Sequence, residues 1–477
     1  MEVPEGYILI KKTEYENLLR HITELMLRCE ALEAQNQKLI KRIEELESEK
    51  NKNSRNSSKP PSSDGLKKVI KNNREKSNRK PGGQVGHKGS GLSTMDKVDE
   101  IVNCKINTSR CECGKDLQSI PILREEKHQV IDIAEVLIRV IDYLVEVKKC
   151  SCGKEHKGVC EFNGRVQYGK KLKALLTYLN VYQMLPAQRI QELCKDIFGL
   201  SIGDGTIQSG TQTCYENLED TQEEIKQSLI SSAVIHSDET GIRCQGSTQW
   251  IHSASNEQFT LYQNHHKRGN EGIDSMGIMD NYTGVCVHDR WASYDKYRNC
   301  IHALCNAHLL RDLRFIYEEE GRKWAGKLIS ILQRANKRKQ EKNLTNHFRT
   351  RIRNQITNLV IKAYRNEPKE KNQEIKRGRK PKSKPIRLLE VFKNRLDDIL
   401  LFLYRNDVPF DNNLAERDLR MIKLKQKISG CFRTKMGADI FCRIRSYIST
   451  SRKQGYNVWD AMTMVMSGNP IKFSLVY

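Results

Sequence analysis

The sequence has no apolar run approaching the roughly 18 residues that a bilayer-crossing helix requires, and no apolar core of a secretory leader. Both absences argue against a helical membrane protein and predict a soluble, intracellular chain. Acidic residues are also scarce: 59 Asp and Glu stand against 82 Lys and Arg, a formal net charge of +23. Such a deficit is the footprint of a polyanionic partner, most simply nucleic acid, although ribosome-associated and anionic-membrane proteins share it. A dinucleotide fingerprint is missing too. The glycines of Arg79-Lys-Pro-Gly-Gly-Gln-Val-Gly-His-Lys-Gly89 have no strand before them and no helix after them. Cysteine, by contrast, is plentiful: fifteen in an intracellular chain point to thiols and metal ligands rather than disulfides. A length of 477 residues accommodates two to four domains.

What is present begins with a heptad. Leu18, Leu25, Leu32, Leu39 and Leu46 recur every seven residues, with Tyr15, Ile22, Cys29, Asn36 and Ile43 at the other apolar-seam positions. Leu at d, with Ile and one Asn at a, favours a parallel two-stranded coil and hence a homodimer through residues 12–50; a single amphipathic helix is the blander reading. Residues 51–95 are a basic Pro/Ser/Gly-rich linker, in which Lys67, Lys68, Arg79 and Lys80 are candidate phosphate contacts. Residues 96–162 carry Cys104, Cys111-Glu-Cys113-Gly and Cys150-Ser-Cys152-Gly, then His156 and Cys160. Paired thiolates in two Gly-followed turns suit a structural Zn²⁺ on Cys111, Cys113, Cys150 and Cys152. Each pair is C-x-C rather than the wider usual spacing, which leaves Cys104, His156 or Cys160 as alternative ligands. Between the pairs, residues 126–149 alternate like strands.

Residues 163–230 read as helical. The helix Arg189–Phe198, the break at Gly199 and a second helix beginning near Ile207, capped from Ser201–Thr206, are compatible with a helix-turn-helix DNA reader and equally with ordinary packing. Residues 231–320 then turn to strands. Ser232-Ala-Val-Ile-His-Ser-Asp238-Glu-Thr-Gly241 is a β-branched strand that ends in carboxylates and breaks at its glycine, with Val234, His236 and Asp238 on one face. Gly284-Val-Cys-Val-His-Asp289 is a second strand ending in a carboxylate, and Ile301–His308 a third entering a helix over Leu309–Glu320. Residues 321–400 are helical and basic, with Lys376–Lys384 as an exposed loop. In residues 401–477, Asp411 caps a helix running to about Lys427, and that helix bears Glu416, Arg417 and Arg420.

A carboxylate at the end of a buried strand costs free energy unless a cation meets it. Two strand-borne aspartates, Asp238 and Asp289, together with the helix-borne Glu416, are the minimum needed to hold two divalent ions for phosphodiester displacement.

The resemblance follows from these motifs. The coiled coil with Asn56-Ser-Ser-Lys-Pro-Pro-Ser-Ser-Asp64, Lys80-Pro-Gly-Gly-Gln-Val-Gly-His87, the Cys-Gly module, Asp238-Glu-Thr, Asp289 with Tyr294, Cys305-Asn-Ala-His308 and Asp411-Asn-Asn-Leu-Ala-Glu-Arg417 together resemble a transposase of the insertion sequence 66 family. The resemblance implies a multidomain α+β chain: coiled coil, zinc module, helical DNA-binding region, and a ribonuclease-H-like α/β catalytic domain with a helical insertion. It implies a D-D-E triad of Asp238, Asp289 and Glu416 using Mg²⁺ or Mn²⁺. The implied reaction cuts the element ends and joins their 3′-hydroxyl to target DNA. Cys305 and His308 match a C-x2-H pair of related transposases, a candidate metal pair whose bland reading is packing at a helix start. Arg417 and Arg420 become candidate DNA contacts. Small accessory proteins of the same element and a prokaryotic cytoplasmic, nucleoid-associated location also follow from the resemblance. The sequence departs from the family at Arg290-Trp291, where a glycine usually follows the second aspartate, which bears on loop shape. Two rivals stand beside this reading, a non-catalytic DNA-binding regulator and a ribonuclease-H-like hydrolytic nuclease.

Overall fold

The computed structural model of the chain describes residues 10–53, 138–149, 154–159, 166–368 and 382–473, together with residues 56, 96, 101–102, 112–113, 116, 129 and 151–152. Lys67, Lys68, Arg79, Lys80, Cys104, Cys111, Cys150 and Cys160 lie outside the described residues. The architecture is a helical N-terminal segment and a mixed α/β domain built on a five-stranded sheet, a multidomain α+β chain. Contacts divide the chain into two compact units, residues 74–165 and the remainder.

In the smaller unit, β1 (Val147–Lys149) and β2 (Glu155–Lys157) form an antiparallel hairpin, with Ser151 and Cys152 in its turn. Of the expected alternation over 126–149, Val147–Lys149 form a strand, and residues 126–128 and 130–137 lie outside the described residues. Residues 138–146 are not in a strand, because alternating apolar residues form one only where a partner edge takes up their backbone groups.

The larger unit opens with the 40-residue helix α1 (Lys12–Asn51). It resumes with α2 (Lys170–Thr177), which widens into a π-helical turn at Tyr178–Tyr182, and continues with α3 (Ala187–Phe198), α4 (Asp204–Glu216) and α5 (Glu219–Ile230). Gly199 closes α3 at φ +66°, the left-handed conformation in which a glycine is favoured. The next helix starts at Asp204, earlier than the expected Ile207. Its N-cap is Gly203 with no side-chain cap, so Ser201 and Thr206 do not serve as caps.

The sheet follows: β3 (Val234–Cys244), β4 (Ser247–Ser255), β5 (Thr260–His265), the short helix α6 (Asn270–Asp274), β6 (Val285–His288) and β7 (Ile301–Leu304). Strand order is β5-β4-β3-β6-β7, antiparallel from β5 to β3 and parallel from β3 to β7. Gly241 does not end β3 as its residue type suggested. It pairs with Trp250 in mid-strand, where an added Cβ would sit 3.6 Å from that indole. β3 is thereby the longest strand and the hinge between the two halves of the sheet. Across the parallel half, Val234, Val285, Val287 and Ala303 turn towards a helical core that includes Leu309, Leu313 and Leu400. On the opposite face, Ile235 and Cys286 join a second core with Tyr282, Tyr294 and Tyr297.

Helices α7 (Asn306–Glu319), α8 (Lys323–Gln340), α9 (Asn346–Asn366), α10 (Lys384–Asn394) and α11 (Leu396–Tyr404) follow β7. The first begins at Asn306 rather than Leu309, which places His308 inside the helix. Asn306 is held there by its N–H to the Phe410 carbonyl at 3.1 Å and its Nδ2 to the Ile399 carbonyl at 3.0 Å. Of the expected basic loop, residues 376–381 lie outside the described residues, and Lys384 opens α10. The chain closes with α12 (Asn413–Ser429), α13 (Lys435–Lys453) and α14 (Val458–Met466). The N-cap position of α12 is Asn412, not Asp411. Asp411 sits one residue earlier and accepts the Asn413 N–H at 3.1 Å, and the helix runs on to Ser429. No helix among the described residues is long and apolar enough to cross a membrane.

Candidate active site

The parallel register sets the geometry of the site. His236 pairs with Val287, so two residues further on Asp238, midway along β3, comes beside Asp289, which directly follows the C-terminal end of β6; neighbouring strands of any sheet lie about 4.8 Å apart. The carboxyl ends of parallel strands are where open α/β sheets receive ligands. Period two gives both aspartates the same face, and β3 buries most of what surrounds them.

Glu416 comes from α12, near enough for its charge to act on Asp238, while among the described residues its carboxylate clusters with Cys305 and His308 rather than with the two aspartates. One residue anchors that helix. Asn412 is 1% exposed; its Oδ1 meets His236 Nδ1 at 2.7 Å and its Nδ2 donates to the Ser237 carbonyl at 2.9 Å. Its backbone N–H points to Cys305 Sγ at 3.2 Å. One asparagine therefore ties the start of α12 to β3 and to the start of α7.

The electrostatics carry the signature of gathered negative charge. Burial, above all, and then the charges of Glu239, Asp289 and Glu416 hold the Asp238 carboxyl well above the usual carboxylate range, despite the Glu239 N–H donated to its Oδ1 at 2.9 Å. Asp289 accepts the Trp291 N–H at 2.9 Å. Glu416 is more exposed and already partnered, with Arg311 Nη2 at 3.0 Å.

Sequence reasoning left two residues beside Asp238 unassigned, His236, which the structure ties to Asn412, and Glu239. The Glu239 side chain is 1% exposed on the face opposite Asp238. Burial and Asp289 push its pKa up to about 7, although Arg268 donates to Oε1 from Nε (3.0 Å) and Nη2 (2.8 Å), and Tyr294 Oη donates to Oε2 at 3.1 Å. Arg268 is itself placed between two indoles, 4.9 Å from Trp250 and 4.0 Å from Trp291. The Arg290-Trp291 departure thus has a structural use. Trp291 roofs Arg268, and Arg290 pairs with Asp312 of α7. Only the adjacency of Glu239 to Asp238 hinted at any of this.

Cys305, His308 and Glu416 present ligand atoms within 4.8 Å of one another, a cluster able to hold a metal ion. The Cys305 thiol is pushed up to about 12 by burial, and His308 is held down at about 3 by burial and then by Arg311 and Arg290. His308 Nδ1 is buried without a hydrogen-bond partner, 3.8 Å from Glu416 Oε1. Arg417 and Arg420 are exposed on α12. Cys113 and Cys152 are exposed and reduced.

With this geometry in place, comparison with known families is decisive. The sequence model of the Transposase IS66 family matches residues 165–440, more than half of the chain. The chain belongs to the IS66 transposase family. A second model, of a family of unknown function, matches residues 10–93. No curated protein matches the chain. Membership makes this transposase-family chain a nucleic-acid-processing, DNA-binding protein, and its match spans all five strands of the sheet as well as α12.

Proposed function

We propose that this IS66-family chain is a D-D-E transposase that cuts the ends of its element and joins the freed 3′-hydroxyl to target DNA, with Asp238, Asp289 and Glu416 as the catalytic carboxylates. The observation that carries the reading is the β3–β6 register that brings the buried Asp238 beside Asp289, where burial and then the charges of Glu239, Asp289 and Glu416 hold the Asp238 carboxyl above the usual carboxylate range. That arrangement fits divalent cations, because like charges brought together out of water need a positive partner. Bound there, two Mg²⁺ or Mn²⁺ ions would supply activation of the attacking oxygen and stabilisation of the leaving one.

The chain's own residues do the positioning. Asn412 fixes the α12 backbone that presents Glu416. Glu239, braced by Arg268 and Tyr294, fixes the middle of β3 against the residues that follow Asp289. Arg417 and Arg420, exposed just beyond Glu416 on the same helix, would meet DNA phosphates in this reading. The five-stranded order, three antiparallel strands followed by two parallel ones, supports a ribonuclease-H-like catalytic domain. In this reading residues 321–400 are its helical insertion.

The remaining parts serve DNA recognition and assembly. Leu18, Leu25, Leu32, Leu39 and Leu46 are all exposed on α1, between 49 and 59%, which supports pairing with a second copy along that seam. Cys152 in the turn of the β1–β2 hairpin supports a zinc knuckle built with Cys111, Cys113 and Cys150. The basic arm and the α3–α4 pair would contact the element ends.

The test is an in-vitro reaction of the full chain with labelled terminal duplex and Mg²⁺. Strand joining in the wild type that disappears in Asp289→Ala supports the proposal. Cleavage without joining replaces it with a hydrolytic nuclease. Binding without cleavage in wild type and variant alike, with accessory proteins of the element supplied, replaces it with a DNA-binding regulator.

A further inference from the structure

The charge of the chain is concentrated outside the site just described. Residues 321–400 hold 24 Lys and Arg against 7 Asp and Glu, a net of +17 within a chain of net +23. Within them α9 has five cations and no acid in 21 residues. An ordinary solvated helix face intersperses acids with bases at i,i+4, so this one is unusual.

The structure divides the α9 cations into two sets. Arg349 and Arg353 turn inward beside the buried Ile352, Ile356 and Val360. Arg349 Nε donates to the Leu403 carbonyl at 2.8 Å, and Arg353 pairs with Asp397. Arg351, Asn354, Asn358, Lys362 and Arg365 instead form a stripe on the opposite side of the helix, at i, i+3, i+7, i+11 and i+14. All five are exposed, and among the described residues the three cations of the stripe have no acidic partner. At 1.5 Å per residue the stripe is about 21 Å long. Its Asn358, Lys362 and Arg365 line a shallow depression with Ile361 and Asn366.

We infer that the outward face of α9 is a second duplex-DNA contact, separate from the catalytic carboxylates. Cations facing outward without acids suit phosphates, and the interleaved carboxamides suit sugar and base edges, which an α-helix reaches in the major groove. An acidic protein surface would match the cations and leave the asparagines without their use. The inference rests on the reading of the chain as a DNA-processing enzyme.

The experiment is duplex binding by the full chain across a salt series, with a labelled 30-base-pair duplex of unrelated sequence as probe. Three proteins are compared: wild type, the triple variant Arg351→Gln/Lys362→Gln/Arg365→Gln, and a control of equal charge loss, Lys323→Gln/Lys327→Gln/Lys472→Gln, at exposed positions off the stripe. Each phosphate contact contributes about 0.9 to the slope of log affinity against log salt. The stripe variant is expected to lower that slope by roughly 2 to 3 and the affinity by about tenfold or more at low salt, while the control stays close to wild type. Equal losses in the control, or an unchanged slope in the stripe variant while wild type binds, overturn the α9 contact and leave the proposed chemistry standing. Failure of wild type to bind duplex at all overturns both.

Discussion

The strand-borne and helix-borne carboxylates of the site are held in opposite ways. Asp238 sits in the middle of the buried strand β3, its neighbours are acids, and among the described residues no cation is bonded to it. Glu416 rides a helix, a third exposed, and is paired with Arg311 at 3.0 Å. The sheet thus creates an electrostatic deficit that the helix does not share. A central strand fixes its side chains through backbone pairing to its neighbours, so it can hold a carboxylate in an unfavourable place. The helix start, tied down by Asn412 and by the buried Ala415, keeps its glutamate in a satisfied one.

The largest expected effect tests whether that contrast reaches the chemistry. Asp238→Ala and Asp289→Ala should each lower strand joining by about 10³-fold or more, roughly 4 kcal/mol of barrier, whereas Glu416→Ala should cost about 10²-fold. Equal losses in single-turnover rates would break the comparison. Next in size is the anchor: Asn412→Ala leaves the Ser237 carbonyl and the His236 ring nitrogen without partners, and should cost about 2–3 kcal/mol in urea unfolding. A cost no greater than that of a surface substitution would mean that α12 is held by its apolar face alone.

The pH dependence sharpens the contrast further. Glu239 has a folded pKa of about 7, above the ordinary 4.5, and that of Asp238 is shifted the same way. The native state therefore binds more protons than the unfolded state between these values, so stability falls as pH rises from about 4.5 to about 7. In EDTA the melting temperature should drop by a few degrees across that window, on the order of 1 kcal/mol. Excess Mg²⁺ or Glu239→Gln should flatten the fall. A melting temperature that climbs through the window would contradict the buried-acid picture. Smallest is Arg311→Ala, which removes a partly exposed pair and should cost under about 1 kcal/mol. It should also strengthen Mg²⁺ binding a few-fold, read by titration calorimetry, because Glu416 loses a competing cation.

Much of the site's layout was open to reading because its causes are local. Period-two alternation along Val234, His236 and Asp238 follows from strand geometry, whatever the partner strand. The helix break at Gly199 follows from a residue that tolerates positive φ. The motifs from Asp238-Glu-Thr to Asp411–Arg417 pointed to the transposase family that the chain belongs to. Local signals failed where neighbours overrode them. Gly241 reads as a strand end, yet it continues β3 because β4 pairs along its whole length and Trp250 covers it. Asp411 reads as the N-cap, yet the anchoring bonds belong to Asn412.

The sequence by itself determined which residues carry charge, which alternate and which family's motifs recur, since each depends on spacing along the chain. Only the tertiary structure decided that Asp238 and Asp289, 51 positions apart, stand level on neighbouring strands. It alone decided that Arg268 and Tyr294 converge on Glu239, and that two arginines of α9 turn inward while the other two face solvent. The reason is register. Strand pairing and helix packing bring together side chains that are far apart along the chain, and the free energy of a buried charge depends on those neighbours rather than on its position in the sequence.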